Sequence, residues 1–394
     1  MNSDNKFDVI IIGAGAAGLM CAAVAGKRGR RVLVIEHNDK VGKKILISGG
    51  GRCNFTNLWV QPENFISKNP HFCKSALSRF NEQDFISLVK KNNIPYHEKT
   101  LGQLFCDGKS MEIVDLLLKE CEDAGVQIKT GCKVNKIEKE NEFIAKTNAG
   151  NISSESLAIA TGGLSISKIG ATDFGYKIAE QFGIKIIDPE PALVPFTWNK
   201  NDLKNYSELS GISVDSIVSC NGKSFRENIL FTHKGLSGPA ILQISNYWYK
   251  GDDIEISLLP EIDLSEKIIE WKTESPKSLL MTLLSTILPK RVVQIFIELA
   301  GYDKPINQYN QKEIEKACSL FNNWSIIPAG TEGFEKAEVT KGGIDTNELS
   351  SKTFETKKIK GLFFIGEVID VTGWLGGYNF QWAWSSGYCA GQFV

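Results

Sequence analysis

A chain of 394 residues is long enough for two or three domains, each burying its own core. Hydrophobic residues make up 42% and charged residues 23%, with 45 basic residues against 46 acidic ones, a net charge of −1. That balance excludes a gross electrostatic pull toward nucleic acid or anionic membrane, and it excludes an acidic solvating tail.

The chain opens with a βαβ pattern: Phe7–Ile12 reads as a buried strand, Ala16–Lys27 as a helix and Arg31–Ile35 as a second strand. The stretch from Val9 to Gly26 carries no charge and is long enough to mimic a membrane span. It holds Gly13, Gly15, Gly18 and Gly26 and has no basic run before it, so we expect strand, turn and helix, with no signal peptide and no membrane segment. A glycine-rich loop follows at 48–51, then polar and helical stretches to about residue 125. Short strands are expected over 126–160, with a turn at Asn148-Ala149-Gly150. Pro189, Pro191 and Pro195 mark a boundary, beyond which β-branched alternation over 212–218 and 254–258 predicts a β-domain.

Residues 262–323 contain one glycine, Gly301, and read as three or four helices. Ser275-Pro276 suggests an N-cap followed by a first-turn proline, and Pro289 a second helix start. Asn310 to Glu313 resembles a capping box, and Val292, Ile295, Phe296 and Leu299 fall on one helical face. The chain then turns glycine-rich again, with a buried strand at 362–365 and a helix over about 380–391. The expected fold class is α/β: a Rossmann-type domain of residues 1–190 and 340–394, interrupted by a barrel-like β-domain of 191–261 and 324–339. That β-domain itself carries a helical insert of 262–323.

The chemistry gathers at glycine clusters that follow strands. Gly13-Ala14-Gly15-Ala16-Ala17-Gly18 is a GxGxxG between strand and helix. Its glycines permit a tight turn, close approach to a pyrophosphate and close helix–sheet packing, and the helix N-terminus offers N–H groups to phosphate. Glu36 ends the second strand, where a carboxylate accepts ribose hydroxyls, and His37 follows it beside the adenosine. No second GxGxxG exists. Instead there are Gly49-Gly50-Gly51-Arg52-Cys53-Asn54, Ala160-Thr161-Gly162-Gly163, Gly366-Glu367, and Gly373 to Asn379 with Gly376 and Gly377. Four such loops suit an extended cofactor in one crevice, FAD rather than a tightly bound nicotinamide. Glu367 is then placed for the ribityl chain, and the helix starting near Tyr378 for the flavin N1–C2 side.

These motifs, DVIIIGAGAAGLM, the run from Gly42 to Asn57, FTHKGLSGPA (Phe231 to Ala240) and the run from Gly366 to Gly387, together resemble the YhiN/BaiN-type bacterial flavoprotein family. That family also includes aminoacetone oxidases. The resemblance covers essentially the whole chain. It implies a non-covalent FAD held by Gly13, Gly15, Ala17, Gly18, Glu36, Lys44, the Gly49–Asn54 loop, Thr161, Gly162, Gly366, Glu367 and Gly377 to Phe380. It fixes the cofactor and not the reaction, since members reduce steroid enones or oxidise amines.

Among side chains, Cys53 is a candidate for redox or covalent work, although a packed thiol is the commoner use of such a residue. Arg52 and Lys44 are candidate anion ligands. His97 and His233 are candidate general acids, and Tyr378 places a phenol at the flavin edge. Trp374, Trp382 and Trp384 are candidates for a substrate pocket. The nine cysteines are odd in number and never spaced CxxC, which argues against disulfides, zinc or iron–sulfur and for a reducing, cytoplasmic home.

The leading expectation is an FAD-dependent oxidoreductase moving a hydride to or from a small organic substrate, with NAD(P)H as a transient donor. The alternatives are a flavoprotein acting on tRNA and a non-catalytic FAD-binding module. Residues 262–323 hold eight basic and eight acidic residues, so no nucleic-acid partner is expected.

Overall fold

The computed structural model describes residues 5–394. Of these, the residues up to Pro191 together with Val339–Val394 form one compact unit, and Ala192–Glu338 form another.

The first unit is built on a parallel sheet. Gln127–Lys129, Val32–Ile35, Lys6–Ile12, Gly150–Ile159 and Leu362–Phe364 lie side by side in that order, all parallel. Val9–Ile12, Val32–Ile35 and Leu362–Phe364 are buried throughout, which is why they read as continuous apolar runs rather than alternating ones. Val134–Lys139 and Phe143–Thr147 add an antiparallel meander against the first half of Gly150–Ile159.

The register aligns the strand ends. Ile12 pairs with Ile35 and with Ile159, and Ile159 pairs with Phe364. The segments that follow, Gly13, Glu36, Ala160 and Ile365-Gly366, therefore leave the sheet along one edge, where α/β folds of this kind bind their ligands. The helix Ala16–Lys27 is buried on nearly every side because Tyr378–Gly391 and Met111–Asp123 pack against it. Gly387 and Gly391 allow the first contact. A Cβ on Gly387 would lie 2.5 Å from the Ala17 carbonyl oxygen, and one on Gly391 would lie 2.7 Å from the Val24 Cβ.

The stretch expected to be polar and helical up to residue 125 also contains a three-stranded sheet, Asn54–Asn57, Gln103–Cys106 and Tyr96–Glu98. Its strands are three or four residues long, too short for a period-two pattern to show in sequence.

In Ala192–Glu338, a seven-stranded sheet runs from Trp324–Ile326 through Ile254–Ser257, Ser213–Cys220, Lys223–Phe231, Gly235–Ser237 and Phe196–Thr197 to Gly330–Thr331. Its core is aromatic. Phe296, from the helix Lys290–Ala300, meets Phe321 of Gln311–Phe321 as well as Tyr206 and Trp324, and Trp324 stacks on Phe231. The Asn310 capping box forms: its side chain accepts from Glu313 N and its backbone N–H donates to the Glu313 carboxylate.

Two local expectations are corrected. Ser275 closes the helix Leu264–Glu274 instead of opening one, and the next helix begins at Leu280 because Ser275-Pro276 is used as a turn. On Lys290–Ala300, Val292 and Phe296 are buried as expected, but Ile295 and Leu299 are half-exposed and Val293, Ile297 and Ala300 complete the buried face.

Candidate cofactor site

The turn after Lys6–Ile12 is held on both sides. Gly13 N donates to Ile35 O at 2.9 Å, and Ala160 N donates to Ile12 O at 2.8 Å. Gly13 sits at φ +109°, and a Cβ there would overlap the Ala160 carbonyl. A Cβ on Gly18 would overlap the Gly13 carbonyl oxygen, whereas one on Gly15 would meet nothing within 4 Å. Gly13 and Gly18 are thus demanded by the protein itself, and Gly15 faces open space at the start of Ala16–Lys27. That helix has no side-chain cap, so its first N–H groups are available to an anion.

Glu36 is buried. Its Oε1 accepts from Asn38 N (2.9 Å) and Asn38 Nδ2 (2.8 Å), with exposed His37 Nδ1 at 3.2 Å. Oε2 accepts from Ala14 N at 2.9 Å, a single bond that leaves lone-pair capacity for a hydroxyl. Thr161 Oγ1 is buried and has no partner among the described residues, and Gly162 faces open space at φ +73°. An orphaned hydroxyl, an uncapped helix start and a fixed carboxylate along one sheet edge fit the phosphates and ribose of a dinucleotide.

Glu367 and Lys44, 323 positions apart in sequence, form an ion pair with Nζ 2.7 Å from Oε2. Ser165 Oγ joins both, at 2.9 Å from Lys44 and 3.2 Å from Glu367, and Thr340 N donates to Glu367 Oε1 at 3.0 Å. Ser165 and Thr340 carry no sequence signal of their own, because only the fold brings them to Glu367.

The glycine loop Ser48–Gly51 turns through left-handed backbone at Gly49 and Gly50, and Cys53 beyond it also has positive φ. Gly49 packs against the Phe105 ring, while Gly50 and Gly51 face open space. Asn54 ties this loop to the closing helix: with its amide oriented to satisfy both atoms, it donates to Leu104 O and Thr56 O and accepts from Gly377 N at 3.2 Å. Gly377, at φ +97°, threads past the Thr56 backbone. The side chain of Asn379 bonds back to Gly373 N and Gly373 O, both at 2.9 Å, and fixes the loop that carries Gly376. Tyr378 begins the helix, buried, with its ring edge-on to Phe65 and Trp374. Phe380 stacks on Trp384.

Trp382 and Trp384 are core residues and do not line a pocket. Their indole N–H groups donate to Gly366 O and Phe55 O, which braces the two loops from beneath. Arg52 is exposed. His97 is exposed and its Nδ1 lies 2.6 Å from Asp107 Oδ1. His233 is exposed on a turn of Ala192–Glu338, in the other unit from Tyr378 and Cys53.

Cys53 is fully buried, and burial pushes its thiol up to about 12 despite a hydrogen bond with the Ser48 side chain. Cys106, on the strand beside it, is likewise buried and pushed up to about 12. A protonated, enclosed thiol is a poor nucleophile. Maleimide at about pH 8 should therefore leave the Cys53 peptide unlabelled in the native protein and label it after unfolding, as read by mass spectrometry. Rapid native labelling would restore Cys53 as a reactive group.

The sequence profile described as the HI0933-like protein Rossmann domain matches residues 7–393. The chain is 52% identical over 390 residues to the ribosomal RNA dihydrouridine synthase of Escherichia coli (strain K12), covering 98% of each chain. It is 51% identical to the protein of the same name from Haemophilus influenzae, covering 97% of each. A 3-dehydro-bile acid delta(4,6)-reductase of Clostridium scindens is 26% identical over 97% of both chains. Among solved structures, a 3-ketosteroid-delta4-(5alpha)-dehydrogenase from Rhodococcus jostii RHA1 shares the fold. Its TM-score is 0.50 at 16% identity, covering 98% of this chain and 97% of that one.

These relatives overturn the expectation that no nucleic acid partners this chain, since two of them are named for ribosomal RNA. The physical reason is that a total near zero hides its distribution. Ala192–Glu338 carries 15 basic and 19 acidic residues, leaving 30 and 27 to the rest of the chain. Contact with RNA needs a local cluster of cations, not a net charge. No helix among the described residues is long and apolar enough to cross a membrane.

Proposed function

We propose that this chain, which belongs to the HI0933-like Rossmann-domain family of FAD-dependent oxidoreductases, reduces the C5–C6 double bond of a uridine in ribosomal RNA. The end-to-end likeness to the Escherichia coli enzyme, at 52% identity, carries this reading. The chemistry is consistent across the relatives. The uracil C5–C6 bond is conjugated to the C4 carbonyl, an electron-poor alkene, and the bile-acid reductase is named for double bonds conjugated to a ketone.

A bound FAD, reduced by an external donor of the NADH or NADPH class, would supply hydride chemistry for uracil C6, with the proton for C5 coming from water. The backbone around Gly15 and the start of Ala16–Lys27 take the pyrophosphate, and Glu36 Oε2 takes a ribose hydroxyl. Glu367, held by Lys44 and Thr340 N, orients the polyol chain. The uncapped start of Tyr378–Gly391 at Gly377 would offer its N–H groups and positive dipole end to the N1–C2 side of a bound flavin. Buried Trp382 and Trp384, through their indole bonds to Gly366 O and Phe55 O, would hold those two segments in place for the cofactor.

The test is to incubate the FAD-loaded protein and NADPH or NADH with ribosomal RNA that lacks dihydrouridine, then to look by mass spectrometry for a nucleoside two hydrogens heavier than uridine. Its formation at one position supports the reading. Unmodified RNA, with either donor or with dithionite, overturns it and turns the search to small conjugated enones.

A further inference from the structure

The hairpin of Tyr96–Glu98 and Gln103–Cys106 lies against the glycine loop, where Phe105 meets Gly49. Residues 97–101 at its tip are all exposed. Trp59 lies beside it. Leu58 N donates to Gly102 O at 2.8 Å, and Trp59 N donates to Asn57 Oδ1 at 2.9 Å. Gly102, at φ +74°, presses its Cα face on the indole: a Cβ there would lie 3.1 Å from Trp59 Cδ2.

Trp59 nevertheless remains 55% exposed and neighbouring Leu101 46% exposed. A tryptophan backed on one side by glycine and open on the other is a rigid aromatic surface, unlike a loosely exposed side chain. It is also wired to the cofactor site, because Asn57 Nδ2 donates both to Leu101 O (3.0 Å) and to Gly376 O (2.9 Å) at the head of the closing helix.

Two cations stand among the charges nearby. Lys99 shares the tip, its Nζ 5.4 Å from the Phe105 ring centre, and Arg52 leaves the adjacent glycine loop. Neither forms an ion pair among the described residues. The nearby carboxylates are occupied, Asp107 by His97 Nδ1 and Glu98 by Gly102 N at 3.0 Å. Single-stranded nucleic acid is recognised by this combination, an aromatic face for a base beside cations for the phosphates.

We propose that Trp59 is a stacking platform for an unpaired RNA base flanking the reduced uridine, with Lys99 and Arg52 holding adjacent phosphates. The inference rests on the ribosomal-RNA reading above.

The test uses the FAD-loaded full chain, Trp59→Ala and Trp59→Phe, with a fluorescein-labelled uridine dodecamer followed by anisotropy. Trp59→Ala should bind about 5- to 100-fold more weakly, and Trp59→Phe should recover most of the affinity, because any aromatic face can stack. Lys99→Ala should lower the slope of log affinity against log salt by about 0.7. FAD content and dithionite bleaching should match wild type throughout.

If Trp59→Ala binds the dodecamer as wild type does while the wild-type enzyme still forms dihydrouridine in ribosomal RNA, the platform is overturned and the function stands. If wild type neither binds nor modifies RNA, the function falls and the platform with it. Loss of FAD from Trp59→Ala, or a change in its sedimentation with RNA affinity intact, assigns Trp59 to folding or to a second copy and overturns the proposal.

Discussion

Replacing Gly15 by valine should leave the protein folded and strip it of flavin. The three glycines of the first turn do different work. Gly13 has φ +109°, and its missing Cβ makes room for Ala160; Gly18 makes room for the Gly13 carbonyl. Side chains at those two positions collide with backbone, so their loss would report on folding alone. Gly15 has φ −88°, a conformation open to any residue, and empty space where its Cβ would stand. Valine at a helix N-cap costs about 1 kcal/mol or less relative to glycine. Its methyl groups occupy the space assigned to the pyrophosphate. The expected result is a circular dichroism spectrum and melting point close to wild type, with FAD affinity reduced on the order of 100-fold, about 2.7 kcal/mol. A Gly15→Val protein that purifies yellow at full stoichiometry would mean that the phosphates cross elsewhere.

The first βαβ unit was legible in the sequence because strands buried on both faces must be apolar throughout, and because strand, glycine turn, helix and acid stand at fixed intervals. The strand at Leu362–Phe364 was legible for the same reason. What periodicity does not carry is the alignment of Ile12, Ile35, Ile159 and Phe364, which brings three separate glycine segments and Glu36 to one edge. Nor does it carry the pairing of Lys44 with Glu367 across 323 residues, or the place of Cys106 beside Cys53. Trp382 and Trp384 were ambiguous because tryptophan serves pockets and cores alike, and only their indole bonds to Gly366 and Phe55 decide between the two. The hairpin bearing Lys99 and Leu101 was missed because three-residue strands leave no pattern. The expectation of no RNA partner rested on the balanced charge of residues 262–323, which says nothing about the rest of the chain.

The second large effect should come from Gly387, far in sequence from any cofactor motif. Gly387 and Gly391 stand one helical turn apart on Tyr378–Gly391, and both face the first helix. A Cβ on Gly387 would sit 2.5 Å from the Ala17 carbonyl oxygen, which is backbone and cannot swing aside. Gly387→Val therefore forces the helices apart, and overpacking of this kind costs roughly 3 kcal/mol or more. The strain falls at once on the two helix ends that the proposed site uses. Ala17 lies in the first turn of Ala16–Lys27, beside Gly15, and Tyr378–Gly391 begins at Gly377. Denaturant unfolding should thus show the loss of stability together with weakened FAD binding, and saturating FAD should recover part of the stability, since a ligand that binds only the folded state shifts the equilibrium toward it. Gly15→Val separates the two quantities and Gly387→Val couples them. If Gly387→Val lost stability while holding FAD with wild-type affinity, the contact between these helices would be scaffolding only, and the positions of Gly15 and Gly377 would be set by the sheet edge and by Asn54 alone.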